Sequence, residues 1–135
     1  MTSHIHELRV SLTVDDFDRA LRFYRDVLGL REEQAYADAG RVSILGAGRA
    51  TIELVDARHA AEIDEIEVGR RVAGPVRLAL QVDDSAATAQ RLAGAGATIV
   101  GGPVTTPWND RNVRLDPPDG VQLTLFTVLD APRGP

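Results

Sequence analysis

The chain has 135 residues, no cysteine and a formal net charge of -5, and its 15 basic residues are all arginine. This length suits one domain, and the lack of cysteine excludes a disulfide framework, a thiolate metal site and a cysteine nucleophile. An acidic chain without a basic run is a poor partner for nucleic acid. No apolar stretch approaches the roughly 20 residues of a membrane span. Because residues 1–9 lack the apolar core of a signal peptide, we expect a cytoplasmic protein.

A repeat links two segments that lie 68 residues apart. Residues 9–16 read RVSLTVDD and residues 77–84 read RLALQVDD. Both alternate apolar and polar residues as half-buried strands do, and both end in acidic residues that can cap a following helix. The apolar face predicted for the first helix comprises Phe17, Ala20, Leu21, Tyr24, Val27 and Leu28, and that of the second comprises Ala86, Ala89, Leu92 and Ala93.

Three short strands are predicted after each helix, with turn-forming residues between them. They lie near residues 31–36, 41–45 and 50–55 in the first copy and near 98–100, 111–115 and 121–128 in the second. The connecting segment contains a short helix near residues 60–67. The pattern predicts one α+β domain, residues 1–135, of two tandem βαβββ modules that form a cupped mixed sheet with helices on its outer face. The modules span residues 5–57 and 75–130, and a linker spans 58–74.

Strand periodicity assigns the side chains to two faces. We expect Leu8, Val10, Leu12 and Val14 of the first strand to pack under the helices, as their counterparts in the repeat should. The opposite, concave face is then expected to carry Arg9, Glu53, Arg77 and Thr124, with Gln81 and Gln122 nearby.

Four segments carry a family resemblance that covers nearly the whole chain. They are LTVDDFDRALRFYRDVLGL (12–30), ATIELV (50–55), RLALQVDD (77–84) and PWNDRNVRLDPPDGVQLTLF (107–126). In this order they resemble the vicinal oxygen chelate superfamily, which includes glyoxalase I, bleomycin-resistance proteins and extradiol dioxygenases. Metal-dependent members place one ligand in each of four strands, and the matching positions here are Arg9, Glu53, Arg77 and Thr124. Arginine has no lone pair to offer, and one carboxylate cannot make a three- or four-ligand site, so we expect neither a metal nor another cofactor.

The resemblance also implies how these side chains are arranged. Glu53 is expected to lie between Arg9 and Arg77 and to bridge both. Such a cluster can be a structural plug, or one arginine can stay free to bind a carboxylate, phosphate or phenolate of a ligand. Trp108, which edges the pocket in this family, is a candidate for stacking on a flat ligand or for core packing, with Tyr36 and Phe126 as weaker candidates. We expect His4, His6 and His59 to be surface residues.

Three functions fit this pattern. The first is a metal-independent binding protein of the glyoxalase/bleomycin-resistance type, which would sequester an antibiotic or other natural product of anionic or aromatic character. Its ligand-binding residues would be Arg9, Glu53, Arg77, Trp108, Thr124 and Gln122, and the resemblance implies a homodimer. The second is a lyase- or isomerase-type enzyme with Glu53 as general base. The third is a structural module whose pocket is filled by the Arg–Glu–Arg cluster. Because no nucleophile–base constellation is present, binding ranks above catalysis, and the sequence does not name the ligand.

Overall fold

The computed structural model describes residues 5–117 and 120–129. The strands are β1 (Ile5–Thr13), β2 (Arg31–Tyr36), β3 (Val42–Ala47), β4 (Ala50–Val55), β5 (Val76–Val82), β6 (Thr98–Thr105), β7 (Asp110–Asp116) and β8 (Leu123–Val128). The helices are α1 (Phe17–Leu21), which continues as a π-helix over Arg22–Val27, then α2 (Ala57–Glu67) and α3 (Ser85–Ala93). No helix in this part of the chain is long and apolar enough to span a membrane.

All eight strands form one sheet in the order β2-β3-β4-β1-β5-β8-β7-β6. Within each half, the first and last strands are parallel, as β1 is to β4 and β5 is to β8. The halves join where β1 pairs antiparallel with β5. This arrangement confirms the predicted α+β class and the two βαβββ units, and it places both units in one continuous sheet.

The acidic pairs that end the repeated segments cap the helices, as their sequence predicts. The side chain of Asp16 accepts a hydrogen bond from the Arg19 N–H at 3.1 Å, and that of Asp84 accepts one from the Ala87 N–H at 3.0 Å. Each bond satisfies one of the N–H groups that the first helical turn leaves unpaired. The two copies of the repeat therefore start their helices by the same interaction.

The first helix departs from the predicted apolar face after Leu21. The Leu28 N–H donates to the Phe23 carbonyl, five residues earlier, at 2.8 Å. An i→i+5 bond adds one residue to the turn, so the residues that follow are rotated relative to the face that Phe17 and Leu21 bury. Val27 is 77% exposed and Leu28 57% exposed, and their predicted burial is therefore wrong.

The helix-side face of the sheet is covered at its two flanks. Helix α1 packs on β4, and α3 packs on β7 and β8. Six apolar residues of β1 and β5 between the helices form what we call the central strip: Leu8, Val10, Leu12, Val76, Leu78 and Leu80. Leu12 and Leu80 reach the flanking core clusters, but Leu8 and Val76 are 39% and 43% exposed. The expectation that Leu8 packs under a helix is therefore wrong.

Helix α2 lies against the concave face of the sheet, which we call the cup. Its Ala60 and Ile63 are buried in one cluster with Val42, Ile44 and Val55. Along β3 and β4 these three residues alternate with Leu45 and Leu54, which pack under α1. Because successive strand residues point to opposite faces, the linker helix covers the concave side of the first module.

The acidic face of α2 binds the second module. Arg114 of β7, which is 0% exposed, donates from Nη1 to Asp64 Oδ1 at 2.8 Å and from Nε to Glu67 Oε1 at 2.9 Å. At the same end of α2, a Cβ atom on Gly101 would collide with the Glu67 carbonyl, so the close approach of β6 requires glycine there. Helix α2 therefore connects the two modules across the interior of the cup.

The surroundings of Asp64 hold its pKa below the ordinary value of 3.8. Burial alone would raise this pKa, but two backbone N–H groups and two guanidinium groups stabilise the carboxylate and outweigh burial. The donors are Ala73, Val72, Arg71 and Arg114. Asp64 therefore holds both the β7 side of α2 and the chain that follows the helix.

We expect Arg114→Met to lower the free energy of unfolding by about 3–5 kcal/mol, because it leaves the buried carboxylate of Glu67 without its cation and removes one of the two guanidinium groups that bind Asp64. Adding Asp64→Asn and Glu67→Gln to that variant should recover part of the loss, since the uncompensated charges are then removed. Urea unfolding measures both. The exposed Arg111→Met on the same strand is the control and should change stability by under about 0.5 kcal/mol. Equal losses at positions 111 and 114 would contradict this account of α2.

Acid should weaken the protein through Asp64. Because the folded pKa lies below the unfolded one, its stabilisation is complete above about pH 4 and is lost as the pH falls through the folded pKa. We expect the free energy of unfolding, measured in urea between pH 7 and pH 2.5, to fall more steeply below about pH 4 for the wild type than for Asp64→Asn. Parallel curves for the two proteins would exclude a role of this ionisation.

Candidate functional site

Three of the four positions expected on the concave face meet beside Ser11. In the sheet register, Ser11 of β1 lies opposite Glu53 on one side and opposite Arg77 on the other. Arg77 donates from Nη2 to Glu53 Oε1 at 3.2 Å and from Nη1 to Thr124 Oγ1 at 3.0 Å. The side chains of the ion pair are each 9% exposed. Glu53, Arg77 and Thr124 thus form one buried polar cluster.

Arg9 lies apart from that cluster. Its Nη2 donates to Glu7 Oε2 at 2.9 Å and its Nε to Thr51 Oγ1 at 3.2 Å, and the guanidinium carbon lies 5.3 Å from the centroid of the Phe126 ring. The predicted bridge from Glu53 to both arginines is therefore wrong. The reason is the strand register, because antiparallel pairing sets Arg9 opposite Ala79, two residues from Arg77. Arg9 instead donates to Glu7, which lies on the same face of β1.

Thr124 extends the buried cluster to α2. Its Oγ1 donates to Glu67 Oε1 at 2.9 Å and accepts from Arg114 Nε at 3.1 Å, while Asn112 Nδ2 donates to Glu67 Oε2 at 2.8 Å. Sequence reasoning missed the acidic side chains of α2 and this use of Arg114. Two features of the sequence could have indicated this ion pair. One is an arginine between two core residues, Val113 and Leu115, and the other is the pair Asp64 and Glu67, which lie on one side of the linker helix because they are three residues apart.

The network balances its own charge. Its carboxylates belong to Glu53, Asp64 and Glu67, and its guanidinium groups to Arg71, Arg77 and Arg114. Within the described ranges, two buried atoms of β7 have no hydrogen-bond partner, Asn112 Oδ1 and Arg114 Nη2. An electrically neutral network can stay buried because each charge is paired.

The other predicted site residues lie at the edge of this network or outside it. Gln122 is buried, and its Oε1 accepts a long 3.4 Å bond from Arg114 Nη1. Trp108 is 37% exposed and its ring centroid lies 6.4 Å from that of His59. Tyr36 is 53% exposed and donates to Gln34. Trp108 therefore edges the N-terminal end of α2 rather than the Arg77 cluster.

The histidines divide among three settings. His6 is exposed and paired with Asp83. His59 is half-buried, and its Nδ1 lies 2.9 Å from the Ala39 carbonyl, so its prediction as a plain surface residue is wrong. The reason is that α2 begins inside the cup, beside the β2–β3 turn. His4 lies outside the described residues.

The residues at the family's ligand positions do not fit a divalent cation. Glu53 is the only good ligand among them, and one of its oxygens already accepts from Arg77. Two guanidinium groups nearby would repel a cation, and they offer donors only. Across residues 5–117 and 120–129, no three His, Cys, Asp or Glu side chains are grouped as a metal site requires.

Solved structures share this fold at low sequence identity. Methylmalonyl-CoA epimerase from Mycobacterium tuberculosis is 21% identical with a TM-score of 0.64, over 95% of this chain and 89% of that one. The Streptomyces coelicolor methylmalonyl-CoA epimerase is 20% identical with a TM-score of 0.65, over 95% and 99%. A glyoxalase/bleomycin resistance protein/dioxygenase superfamily member from Vibrio splendidus 12B01 is 18% identical with a TM-score of 0.62, over 89% and 97%.

The sequence comparisons agree with the fold. No curated protein matches the chain significantly. The family model of the Glyoxalase/Bleomycin resistance protein/Dioxygenase superfamily matches residues 4–125, which include the first module, the linker helix and the second module as far as β8. The chain therefore belongs to the Glyoxalase/Bleomycin resistance protein/Dioxygenase superfamily.

Proposed function

We propose that this chain is a metal-independent binding protein for a small anionic or aromatic molecule. The observation that carries the proposal is the gradient of exposure among the arginines of the concave face. The side chain of Arg114 is 0% exposed, that of Arg77 is 9% exposed and that of Arg9 is 18% exposed. Arg77 and Arg114 are thus enclosed by their partners, whereas Arg9, which lies apart from their network, is part-exposed, so a ligand would enter from the side of Arg9.

The groups around Arg9 suit such a ligand. Its guanidinium presents a planar set of donors, which matches a carboxylate, phosphate or phenolate, and it lies over the ring of Phe126. Its present acceptor, Glu7, is itself 21% exposed. A ligand anion can therefore replace Glu7 without leaving a carboxylate buried and unpaired.

A cup that serves only as structure is the second candidate, and the position of α2 favours it. Ile63 fills the first module and Glu67 binds the second, so the linker helix already occupies much of the concave face. In that case the buried ion pairs would fix the relative position of the two modules and no ligand would bind. The binding experiment below separates the two functions.

Catalysis with Glu53 as general base ranks below both. Its Oε1 already accepts a hydrogen bond from Arg77, and both side chains are nearly buried, so this oxygen is not open to a substrate proton. The epimerase activity named for two of the similar structures belongs to proteins about 20% identical, and such similarity carries the fold alone. If the protein turned over a substrate in the presence of a chelator and Glu53→Gln abolished that activity, catalysis would rank above binding.

We also propose that two copies of the chain pair through the central strip. The strip consists of the cross-strand pairs Leu8–Leu80, Val10–Leu78 and Leu12–Val76. The 68-residue offset of the repeat relates Leu8 to Val76, Val10 to Leu78 and Leu12 to Leu80, so the strip has an approximate two-fold symmetry of its own. A two-fold interface needs a self-complementary surface, and this strip is apolar on both strands.

For the binding site, we expect Arg9→Met to lower the affinity for an anionic or phenolic ligand by about 10- to 100-fold, since a hydrogen bond to a charged group contributes roughly 1.5–3 kcal/mol. Glu7→Gln should raise the affinity for the ligand, because it removes the carboxylate that competes for Arg9. A melting-shift screen of natural-product acids and phenols finds the ligand, since saturation at 100 times its Kd stabilises by about 2.7 kcal/mol. The exposed Arg49→Met is the control. If no compound shifts the melting temperature, the structural cup is the better description.

For the dimer, we expect the Leu8→Glu, Val76→Glu double variant to be monomeric, because both side chains are already part-exposed and a charge there opposes only association. Sedimentation velocity of the wild type should give twice the monomer mass. Leu129→Glu, at a similarly exposed apolar position outside the strip, should leave the dimer intact. A wild-type protein that sediments as a monomer at micromolar concentration would exclude this interface.

A further inference from the structure

A second cavity lies on the helix side of the sheet, away from the cup. It has a volume of about 210 Å³ and sits between α1 and the β2–β3 hairpin. Its wall is formed by Phe17, Leu21, Ala35, Tyr36, Val42 and Ser43. Ser43 shares its strand face with Leu45, which packs under α1, whereas Arg9 and Glu53 belong to the concave face. We call this space the outer cavity.

One part of the outer cavity is apolar and buried, and it faces the exposed side chains of Ala35 and Tyr36. Phe17 and Leu21 are 7% exposed and Val42 is 4% exposed, and all three belong to core clusters. At the rim, the guanidinium carbon of Arg41 lies 4.2 Å from the centroid of the Phe17 ring, and its Nη1 binds Asp18 at 2.6 Å. The cation therefore sits on the ring and is neutralised by the carboxylate, so the cavity does not select an anion.

The polar groups next to Ser43 in the outer cavity offer acceptors. Ser43, which is 1% exposed, donates its hydroxyl to Glu32 Oε2 at 2.5 Å, while Glu32 Oε1 accepts from Arg25 at 3.2 Å. The serine oxygen keeps its lone pairs once its proton is used, and a carboxylate accepts about four hydrogen bonds in total. A group that enters the cavity is therefore offered acceptors, and it must bring its own donor.

We propose that the outer cavity binds a single aromatic ring that carries a hydroxyl or amino group. A cavity of about 150 Å³ lined by apolar side chains is known to bind benzene, so 210 Å³ is enough for one ring and a small substituent. The ring packs against Phe17 and Leu21, and its donor binds Ser43 Oγ or Glu32. A carboxylate on the ring brings no donor for Ser43 Oγ or Glu32, and the guanidinium of Arg41 is already paired with Asp18.

Saturation-transfer NMR with phenol, toluene and benzoate tests this site on the full chain. In the Arg9→Met chain, which lacks the arginine of the proposed cup site, we expect phenol to bind with a millimolar Kd, as ligands of so few atoms do, toluene to bind more weakly and benzoate to give no transfer. Ala35→Leu should abolish binding of phenol and toluene, because Ala35 lines the cavity and lies opposite Ser43. Ser43→Ala should lower the affinity for phenol by about 3- to 10-fold and leave the affinity for toluene unchanged, as loss of one neutral hydrogen bond predicts.

Two further variants make the result specific. Ala61→Leu adds the same bulk at another exposed alanine, on α2, and should bind phenol like the wild type. Arg9→Met is the second variant and is the background for every measurement, because the proposed site in the cup is itself expected to bind carboxylates and phenols. Phenol binding that survives Ala35→Leu, or no transfer to phenol at all, would overturn the proposal. Stronger binding of benzoate than of phenol would overturn the assigned ligand class.

Discussion

The paired contact of Arg114 with Asp64 and Glu67 decides what the interior of the cup contains. A guanidinium with zero exposure is stable only if carboxylates replace its lost water, and both of those carboxylates belong to α2. The linker helix must therefore lie in the cup wherever Arg114 is buried. Once the helix is there, its apolar side covers the first module, and the open part of the concave face is reduced to the surroundings of Arg9.

This arrangement replaces the electrostatics of a metal site with those of an ion-pair network. In metal-dependent relatives a cation would neutralise the ligands of the cup, whereas here Arg77 neutralises Glu53 and no cation is needed. The charge sits on covalently held side chains, so it cannot be removed by a chelator and does not exchange with solvent. A guanidinium also has direction, since its donors lie in one plane. Under the proposed function, the cup therefore favours groups with lone pairs, whereas a carboxylate- or histidine-lined cup favours cations.

The sequence predicted those features that depend on local periodicity. The strands, the Asp16 and Asp84 caps and the division of faces follow from patterns a few residues long, and the structure agrees with them. The direction taken by Arg9 was not predictable, because it depends on the register between β1 and β5, which are almost 70 residues apart in the chain. The position of α2 was missed for a related reason. Its apolar and acidic sides are visible in the sequence, but periodicity does not say which surfaces they face.

The repeat is symmetric in its backbone and asymmetric in the side chains of the cup, and the asymmetry explains how α2 is oriented. Ile44 lies opposite Glu53 in β3–β4, and at the equivalent place in β7–β8 Arg114 lies opposite Thr124. One module thus offers an apolar surface and the other a cation with hydrogen-bonding neighbours. A helix with Ile63 on one side and Glu67 on the other fits between them in a single orientation, because turning it around would bury its carboxylates against apolar side chains. The difference between the two modules at these positions therefore matches the two sides of the linker helix that lies between them.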